Sequence, residues 1–229
     1  MRATAIIPVK RFGAAKQRLL EAVDRPQRAE LVKSMLADVL ASVCRVTLVE
    51  RVIVVTGESR AERIALREAR RTDTPLEVLR EPRDRGHSEA ATLGIVRAKA
   101  LGARSAALLP GDCPLLDPHE MDVALTRMGS GRVVVVPDHH GTGTNALILS
   151  PPDAIGPAFG PGSCTRHAER GRRAGHDVAV ERLVSLGLDV DTPDDLAAIA
   201  RILEQDASRA PATAAALTRI DLAETRAEA

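Results

Sequence analysis

The chain has 229 residues and a formal charge of +1 at pH 7, and Phe12 and Phe159 are its only residues of the Phe, Trp and Tyr type. This length fits one domain with a full hydrophobic core, and the scarcity of aromatic side chains disfavours single-stranded nucleic-acid binding, which depends on base stacking. The near-neutral charge gives no reason to expect a polyanionic partner.

The cysteines and the apolar runs bear on the cellular compartment. Cys44, Cys113 and Cys164 are odd in number and lack C-x-x-C spacing, which disfavours a disulfide framework or a zinc knuckle. The apolar run at the start is shorter than a signal-peptide core and breaks at Pro8. Because no apolar stretch approaches the ~20 residues that span a bilayer, we expect a cytoplasmic protein with no membrane and no nucleic-acid partner.

Short β-branched runs alternate with longer amphipathic runs along the chain, a pattern typical of an α/β layered sheet. The first predicted helix has Asp24 as its N-cap. The run Val133–Val136 is apolar without alternation, which predicts a strand buried on both faces. In chain order we predict strand 3–9, helix 26–43, strand 51–56, helix 58–71, strand 76–80, helix 88–101, strand 105–109, helix 118–128, strands 132–137 and 145–149, helix 163–174, strand 177–182 and helix 193–204.

No internal repeat and no Pro- or Ser-rich linker interrupts this alternation. We therefore predict a single domain over residues 1–204. Residues 205–229 are rich in Ala, Arg and acidic side chains with a weak apolar pattern, and we predict that they form a C-terminal tail, either a marginal helix or disordered.

Three aspartates stand at the ends of apolar runs. Asp189 and Asp191 would point to the same side of an extended strand, directly before a helix that Thr192 caps. Asp112 ends another predicted strand far upstream. Carboxylates beside a helix N-terminus can hold a hard divalent cation against a phosphate. The alternative is that Asp189 and Asp191 are solvated loop residues.

A basic, glycine-containing loop follows the first predicted strand. Gly13 and its small neighbours would let backbone amides approach a ligand, and Lys10, Lys16 and Arg18 supply positive charge. The loop matches neither G-x-G-x-x-G nor a Walker motif, which argues against a dehydrogenase or an ATPase. We interpret it as a phosphate-binding loop, and the alternative is a basic, solvated loop.

Two further segments offer groups for an anionic ligand. The run Gly141–Thr144 combines flexible backbone with hydroxyls. The run Phe159–Ser163 leads into a helix with Ser163 in the predicted N-cap position, so that free amides would face an anion. An ordinary Gly-Pro turn is the alternative for the second run. His167 shares the helical face of Ser163, but a lone histidine is more often a surface or capping residue, and we give it no role.

Five ordered motifs carry a resemblance to a known family. They are P-x-K-x-x-x-x-A-K-x-R-L at 8–19, PGDCPLL at 110–116, PDHHGTGTNAL at 137–147, FGPGSCTRH at 159–167 and LDVDTP at 188–193. In this combination the chain resembles the 2-phospho-L-lactate guanylyltransferase and phosphoenolpyruvate guanylyltransferase family of coenzyme F420 biosynthesis. The likeness extends over nearly everything up to about residue 203.

The resemblance implies an α/β nucleotidyltransferase fold of the glycosyltransferase-A type, Rossmann-like, with a mixed, mostly parallel sheet flanked by helices. It implies GTP as co-substrate and Mg²⁺ as cofactor at the carboxyl ends of the strands. Carried over by position, the resemblance implies that Asp112, Asp189 and Asp191 bind the metal and that Thr144, Gly160 and Ser163 bind the acceptor. It implies that the nucleotide is bound by Pro8, Lys10, Gly13, Lys16, Arg18, Gly86 and Ser88. The implied catalytic residues are Lys16 and Asp112.

The acceptor and the macromolecular partners are less defined. Family members use 2-phospho-L-lactate, phosphoenolpyruvate or 3-phospho-D-glycerate, and we favour one of the first two, a small phosphorylated carboxylic acid. A homodimer and a downstream transferase of the same pathway are the protein partners that we consider. The chain departs from the family at Gly86-His87-Ser88, where members show G-L-N, and at Cys164, where they prefer an aromatic residue. These departures concern base recognition and the shape of the acceptor pocket.

Two other functions remain open at this stage. One is a nucleotidyltransferase that acts on a sugar phosphate or a molybdopterin, although such enzymes carry a loop richer in glycine than 8–19. The other is a nucleotide-binding regulator without catalysis, although such a protein has little need for three acidic side chains in this pattern.

Overall fold

The computed structural model describes residues 2–12, 16, 19, 23–81, 83 and 85–220. Within these ranges the strands are β1 (Ala3–Val9), β2 (Val49–Thr56), β3 (Leu76–Arg80), β4 (Ala106–Leu108), β5 (Arg132–Pro137), β6 (Thr144–Leu149) and β7 (Asp177–Val180). The helices are α1 (Arg25–Val43), α2 (Ser59–Glu68), α3 (His87–Ala100), α4 (Pro118–Thr126), α5 (Ser163–Arg173), α6 (Val184–Gly187), α7 (Pro193–Gln205) and α8 (Pro211–Leu217).

The strands form one sheet in the order β3-β2-β1-β4-β6-β5-β7. Strand β6 is antiparallel to both of its neighbours, and the other pairings are parallel. The carboxyl ends of β1, β4 and β5 therefore lie at one edge of the sheet, together with the amino end of β6. This edge is where side chains that follow β1 and β4 can meet the first residue of β6, Thr144.

Helices cover both faces of the sheet. Successive residues of a strand point to opposite faces of the sheet. In β1, Ile7 packs with the apolar side chains of α1, α4, α7 and α8, whereas Ile6 packs with those of α3 and α5. A Cβ atom at Gly94 would lie 2.3 Å from Cγ2 of Ile6, so glycine is what allows α3 to approach β1 this closely. The prediction of a mixed, mostly parallel sheet flanked by helices is confirmed.

Helix α1 forms the centre of one layer for reasons that the sequence already shows. Asp24 accepts a hydrogen bond from the backbone N–H of Gln27 in a reciprocal capping box, and a proline stands in the first turn. Its apolar stripe (Leu31, Met35, Leu36, Val39, Leu40 and Val43) is 0 to 1 % exposed. This helix supports the carboxyl end of β1, since Leu36 lies 3.3 Å from a Cβ atom placed on Gly111 at that edge.

The segment before Asp191 corrects one prediction. We predicted an extended strand ending in Asp189 and Asp191, but residues 188–192 form a loop between α6 and α7. Val190 is fully buried in the core below the sheet edge, so the apolar alternation that suggested a strand reflects packing of a loop. The predicted helix start is confirmed, because Thr192 is the N-cap of α7 and forms a capping box with Asp195.

The segment after α7 packs against the rest of the molecule as far as residue 220. Its helix α8 has no side-chain cap of its own, and Asp38 of α1 supplies one. The Asp38 carboxylate accepts hydrogen bonds from the N–H of Ala212 at 3.1 Å and from the N–H and the hydroxyl of Thr213, both at 2.7 Å. The boundary that we predicted at residue 205 stays a prediction, and residues 221–229 lie outside the described ranges.

Membrane association through a spanning helix finds no support in this fold. In the part of the chain that the structure describes, none of the helices combines the length and the hydropathy that crossing a bilayer requires.

Candidate active site

The ammonium of Lys16 joins two distant acidic residues at the edge of the sheet. It donates hydrogen bonds to Oδ2 of Asp112, which follows β4, and at 2.5 Å to Oδ1 of Asp191, which precedes α7. The Lys16 side chain is 5 % exposed, and its backbone adopts a φ of +55°, which is uncommon for a residue other than glycine. The sequence predicted that residues 16, 112 and 191 belong to one site, and the structure brings them together.

The pKa values show an excess of negative charge. Burial alone would lower the pKa of Lys16, but the carboxylates of Asp112 and Asp191 outweigh it and raise the pKa. Burial would raise the pKa of Asp112, and Lys16 outweighs it and lowers that pKa. The pKa of Asp189 is raised, first by burial and then by the charges of Asp112 and Asp191. One ammonium therefore faces three carboxyl groups, and the cluster favours further positive charge.

Asn145 holds Asp189 within this cluster. Its side-chain amide donates to the carbonyl of Leu186 at 2.7 Å, to that of Gly187 at 3.3 Å and to Oδ1 of Asp189 at 3.1 Å. Asn145 is 8 % exposed and lies in β6, in the sheet itself. The rigid sheet thus fixes the loop that carries the acidic residues.

The capping box of α7 fixes Asp191 from the other side. Oδ2 of Asp195 accepts hydrogen bonds from the N–H of Asp191 at 3.1 Å and from the N–H and the hydroxyl of Thr192, both at 2.8 Å. Local helix-capping chemistry, which is visible in the sequence, therefore holds the backbone from which the Asp191 carboxylate reaches Lys16.

Two cavities meet at this cluster. A cavity of about 290 Å³ lies beside the end of β1 and is lined by Pro8, Val9, Lys10, Lys16, Val32, Leu36, His87, Gly111, Asp112 and Asp191. A cavity of about 550 Å³ extends toward β6 and α5. The larger one includes the predicted acceptor residues Thr144, Gly160 and Ser163 together with Asp189. Since Lys10, Asp112 and Asp191 line both cavities, the acidic cluster stands between two ligand-sized spaces.

Pro8 shows why this edge is open. Strand β1 pairs with β4 at Thr4, Ala5 and Ile6. The last backbone hydrogen bond on this side joins the N–H of Leu109 to the carbonyl of Ile6. Pro8 comes next on that side, beyond the end of β4, where its missing N–H breaks no ladder hydrogen bond. Pro8 is one of the residues that line the smaller cavity.

The larger cavity has an unsatisfied hydroxyl in its wall. Ser163 is fully buried, and its Oγ has no hydrogen-bond partner among the described residues. A buried hydroxyl without a partner costs about 1–3 kcal/mol, and an anionic ligand in this cavity would remove that cost. Ser163 does not act as we predicted, however: the N-cap of α5 is Gly162, at φ +69°, and Ser163 is the first helical residue.

Two backbone N–H groups at the start of α5 are hydrogen-bonded within the protein, where we predicted free ones. The N–H of Ser163 donates to the carbonyl of Gly160 and that of Cys164 to the carbonyl of Thr142. The sequence suggested that free amides would face an anion, but these two are already bonded. Gly160 itself has a φ of +110°, a conformation that favours glycine, so its identity is required by the turn.

The hairpin turn before β6 is ordered by Asp138. One carboxylate oxygen of Asp138 accepts from the N–H of Thr142 and the other from the N–H of Gly143, both at 2.9 Å. A Cβ atom at Gly143 would lie 2.4 Å from the same carboxylate. The segment that we interpreted as flexible backbone is thus a tight turn, and it presents Thr144 rather than its own amides to the cavity.

The remaining predicted nucleotide residues fall into two groups. Gly86 is the N-cap of α3, with a φ of +101°, and Ser88 accepts a hydrogen bond from the N–H of Phe159 at 3.0 Å. Neither is among the residues that line the two cavities, whereas their neighbour His87 lines both and packs edge-on against Phe159 at 4.8 Å. Gly13 and Arg18 lie outside the described residues.

The fit of a divalent cation can be judged from the donor set. Within the described ranges no three His, Cys, Asp or Glu side chains are arranged around one common point as metal ligands. The ammonium of Lys16 instead lies between Asp112 and Asp191. Carboxylate oxygens are nevertheless the hard donors that Mg²⁺ prefers, so the donor chemistry of Asp112, Asp189 and Asp191 suits that ion although these side chains are not arranged as a ligand set here.

Sequence reasoning missed two residues of the site. Asn145 stands inside a quoted motif, and only the fold shows that it reaches Asp189. His167 is fully buried between Thr144, whose Oγ1 lies 3.0 Å from Nδ1, and the N–H of Ala158, which donates to Nε2 at 2.8 Å. The one available signal was its helical spacing from Ser163, which we noted without assigning a role.

Comparison with known proteins shows what this chain resembles. A sequence profile of the family described as guanylyl transferase CofC like matches residues 3–210. The phosphoenolpyruvate guanylyltransferase of Conexibacter woesei is 40 % identical over 201 residues, which cover 87 % of each chain. The 3-phospho-D-glycerate guanylyltransferase of Phenylobacterium zucineum is 34 % identical over 202 residues, which cover 87 % of this chain and 90 % of that one.

A solved structure shares the fold at lower identity. A candidate nucleotide-diphospho-sugar transferase from Desulfovibrio desulfuricans G20 superposes with a TM-score of 0.75 at 20 % identity, covering 98 % of both chains. At this identity the likeness concerns the fold alone, and it agrees with the α/β architecture described above.

Proposed function

Because the chain belongs to the CofC-like guanylyl transferase family and is thus a nucleotidyltransferase, we propose that it transfers GMP from GTP to phosphoenolpyruvate. A phosphate oxygen of the acceptor forms a bond to the α-phosphorus of GTP, the bond between the α-phosphorus and the bridging oxygen breaks, and pyrophosphate leaves. The convergence of Lys16, Asp112 and Asp191 between two ligand-sized cavities is the observation that carries this proposal.

We assign the smaller cavity to the donor. Lys10 and Lys16 are the cations on its wall, and they would hold the triphosphate of GTP, with Pro8 shaping the backbone beside it. The roles that we predicted for Gly13 and Arg18 in the same loop remain part of the proposal.

We assign the larger cavity to the acceptor. The hydroxyls of Thr144 and Ser163 and the backbone at Gly160 line it, and hydroxyls are suitable donors to a carboxylate or a phosphate. The choice of phosphoenolpyruvate is supported by two relatives named phosphoenolpyruvate guanylyltransferase, from Conexibacter woesei at 40 % identity and from Sphaerobacter thermophilus at 34 %. 3-Phospho-D-glycerate, the acceptor named for another relative, is the alternative that the experiment must separate.

We propose that Asp112, Asp189 and Asp191 hold Mg²⁺. When bound, the ion would neutralise the negative charge of donor and acceptor. Lys16 contributes in the same sense, because its ammonium is held at the boundary of the two cavities and is kept protonated by Asp112 and Asp191.

Proton abstraction is not required of the protein in this reaction. A phosphate monoester has a second pKa near ~6, so the acceptor is mostly dianionic at neutral pH. His167, the buried histidine in contact with Thr144, has both ring nitrogens in hydrogen bonds. Catalysis then depends on positioning and charge neutralisation.

The biological setting follows from the same proposal. A guanylylated three-carbon acid is the activated precursor expected for coenzyme F420 biosynthesis in the cytoplasm. A downstream transferase that receives this product and a homodimeric state complete the proposed set of partners.

The test is a pyrophosphate-release assay with GTP, ATP, CTP or UTP against phosphoenolpyruvate, 2-phospho-L-lactate, 3-phospho-D-glycerate and a set of sugar phosphates in the presence of MgCl₂. We expect the highest kcat/KM for GTP with phosphoenolpyruvate. Release with sugar phosphates alone, or GTP binding without release in any combination, would refute the proposal. Asp153→Asn, which alters an exposed carboxylate paired with Lys99, is the matched control for changes in the acidic cluster.

A further inference from the structure

We propose that His167 is a positioning residue that fixes the hydroxyl of Thr144 as a hydrogen-bond donor toward the acceptor. This inference rests on the proposed function, because it assigns the acceptor to the cavity that Thr144 lines. It concerns a side chain that would not itself touch the ligand.

The contacts of His167 connect two walls of the acceptor cavity. Its Nδ1 lies 3.0 Å from Oγ1 of Thr144, at the start of β6, and its Nε2 lies 2.8 Å from the backbone nitrogen of Ala158. Ala158 begins the run that leads through Phe159 and Gly160 to α5. The ring is fully buried, so solvent does not compete for either nitrogen.

The backbone N–H of Ala158 determines which nitrogen of His167 carries the proton. An amide N–H is only a donor, so Nε2 must be the acceptor and must be unprotonated. A neutral imidazole carries one proton, which is then on Nδ1. Nδ1 therefore donates to Oγ1 of Thr144.

This assignment also fixes the Thr144 hydroxyl. The hydroxyl has one hydrogen and two lone pairs, and His167 occupies one of the lone pairs. Among the described residues Oγ1 has no other hydrogen-bond partner, so its hydrogen is free to point into the cavity that it shares with Gly160 and Ser163. A donor aimed at an anion in advance costs no reorientation when the ligand binds.

The surroundings keep His167 neutral. Burial lowers its pKa to about 4, and the nearby guanidinium groups of Arg166 and Arg170 act in the same direction. Arg166 also donates to the carbonyl of Ala158 at 2.8 Å and to that of Pro161 at 3.1 Å, which holds the run that supplies the N–H to Nε2. The ring of Phe159 packs edge-on against His167 at 5.2 Å and limits its rotation.

Two substitutions separate the two contacts. In His167→Asn the amide nitrogen can replace Nδ1 and donate to Thr144, but the contact with Ala158 is lost. In His167→Gln the longer side chain can place its carbonyl oxygen near the position of Nε2 and accept from Ala158, but the donor to Thr144 is lost. A purely structural role in tying the loop predicts that Gln is tolerated better than Asn, whereas our proposal predicts the reverse.

The kinetic readout is the KM for the acceptor, with the KM for GTP measured in parallel. We expect His167→Gln to raise the acceptor KM about tenfold, with the KM for GTP changed less than twofold, and His167→Asn to remain within about threefold of the native protein. In a Thr144→Val background, His167→Gln should cause no further increase. Equal losses for Asn and Gln, or additive effects with Thr144→Val, would overturn the proposal.

A second measurement does not depend on activity. In ¹⁵N-labelled protein without ligand, the imidazole ¹⁵N resonances of His167 should show a protonated Nδ1 and an unprotonated Nε2 at pH 7. Protonation on Nε2 would overturn the inference even if the enzyme is active. If the nitrogens behave as expected but no acceptor supports pyrophosphate release, the proposed function fails and the tautomer assignment stands.

Discussion

The carboxylate of Asp191 lies 2.5 Å from the ammonium of Lys16, although 175 residues separate them in the chain. Lys16 follows the first strand and Asp191 precedes α7, so the contact closes the site across the edge of the sheet. Asp112 binds the same ammonium. An ammonium in this place neutralises part of the negative charge that a divalent cation would otherwise neutralise.

Replacing Lys16 therefore tests the competition between the two kinds of cation. We predict that Lys16→Gln binds Mn²⁺ about tenfold more tightly in the absence of nucleotide, because Asp112 and Asp191 lose the ammonium that pairs with both of them. Electron paramagnetic resonance of free Mn²⁺ measures this affinity. Transfer activity should fall at the same time, because the donor cavity loses a cation. Unchanged or weaker Mn²⁺ binding would show that Lys16 and the metal do not share ligands.

Removing either carboxylate that pairs with Lys16 should abolish transfer without unfolding the protein. We predict that Asp112→Ala and Asp191→Ala each reduce kcat by at least about a hundredfold, a loss typical of removing one preorganised electrostatic contact. Pyrophosphate release measures the loss, and thermal unfolding followed by circular dichroism monitors the fold. Asp153→Ala should leave both unchanged, and near-normal turnover by the two site variants would contradict the assignment.

Asn145 offers a test of the link between the sheet and the acidic loop. Asn145→Ala removes the donor from two carbonyls and from Asp189. We expect a loss of about 1–3 kcal/mol in the free energy of unfolding, the cost of leaving buried polar groups unsatisfied, and weaker Mn²⁺ binding because Asp189 is released. Urea denaturation gives the first quantity. A stable variant with native metal affinity would contradict the role.

Asp38 should contribute to stability alone. In Asp38→Ala the start of α8 loses all three of its hydrogen bonds to α1, and we expect a loss of about 2–3 kcal/mol in the free energy of unfolding. Thr213→Val, which removes only one of these bonds, should cost less. Both variants should keep the native KM values, and a change in either KM would show that α8 communicates with the site.

The buried histidine predicts a specific pH dependence of stability. The pKa of His167 is about 4 in the folded protein and near ~6.5 in the unfolded chain. Below pH 6.5 the unfolded chain therefore binds the proton first, so acidification destabilises the fold. The contribution grows as the pH falls to about 4 and reaches about 3 kcal/mol. The His167→Asn variant should lack this acid destabilisation. Urea denaturation of both proteins between pH 7 and 4.5 measures it, because the difference in free energy of unfolding between the native protein and the variant should become smaller as the pH falls.

Much of the fold could be predicted from local patterns. The bounds of β1, β3 and β5 agree with the predicted strands, and the start of α7 agrees because a capping box and a proline are local signals. The loop at 188–192 could not be predicted in this way. Leu188 and Val190 alternate with aspartates as in a strand, but none of the strands in the described part of the chain pairs with them. Strand pairing is a property of the whole sheet and cannot be seen in a local pattern.

The part of the site that could be predicted consists of charged residues that lie in the ordered motifs. Lys16, Asp112 and Asp191 meet as the sequence suggested, whereas the cap of α5 was assigned one residue too late because Gly162, with its positive φ, takes the position of Ser163. The role of His167 depends on an amide and a hydroxyl from two other segments. The sequence does not show that the imidazole of His167 contacts both the N–H of Ala158 and the hydroxyl of Thr144.

The reversed direction of β6 has a consequence for how such enzymes can change substrate. Because this strand enters the active edge instead of leaving it, the hairpin at 138–143 and the first residue of β6 line the larger cavity and not the smaller one, whereas residues that follow β1 and β4 line both. Insertions or replacements in that hairpin can then reshape the larger cavity, which we assign to the acceptor, and leave the smaller cavity in place. Under the proposed assignment, a change confined to this one short turn would alter the choice of acceptor and leave Lys16, Asp112 and Asp191 in place.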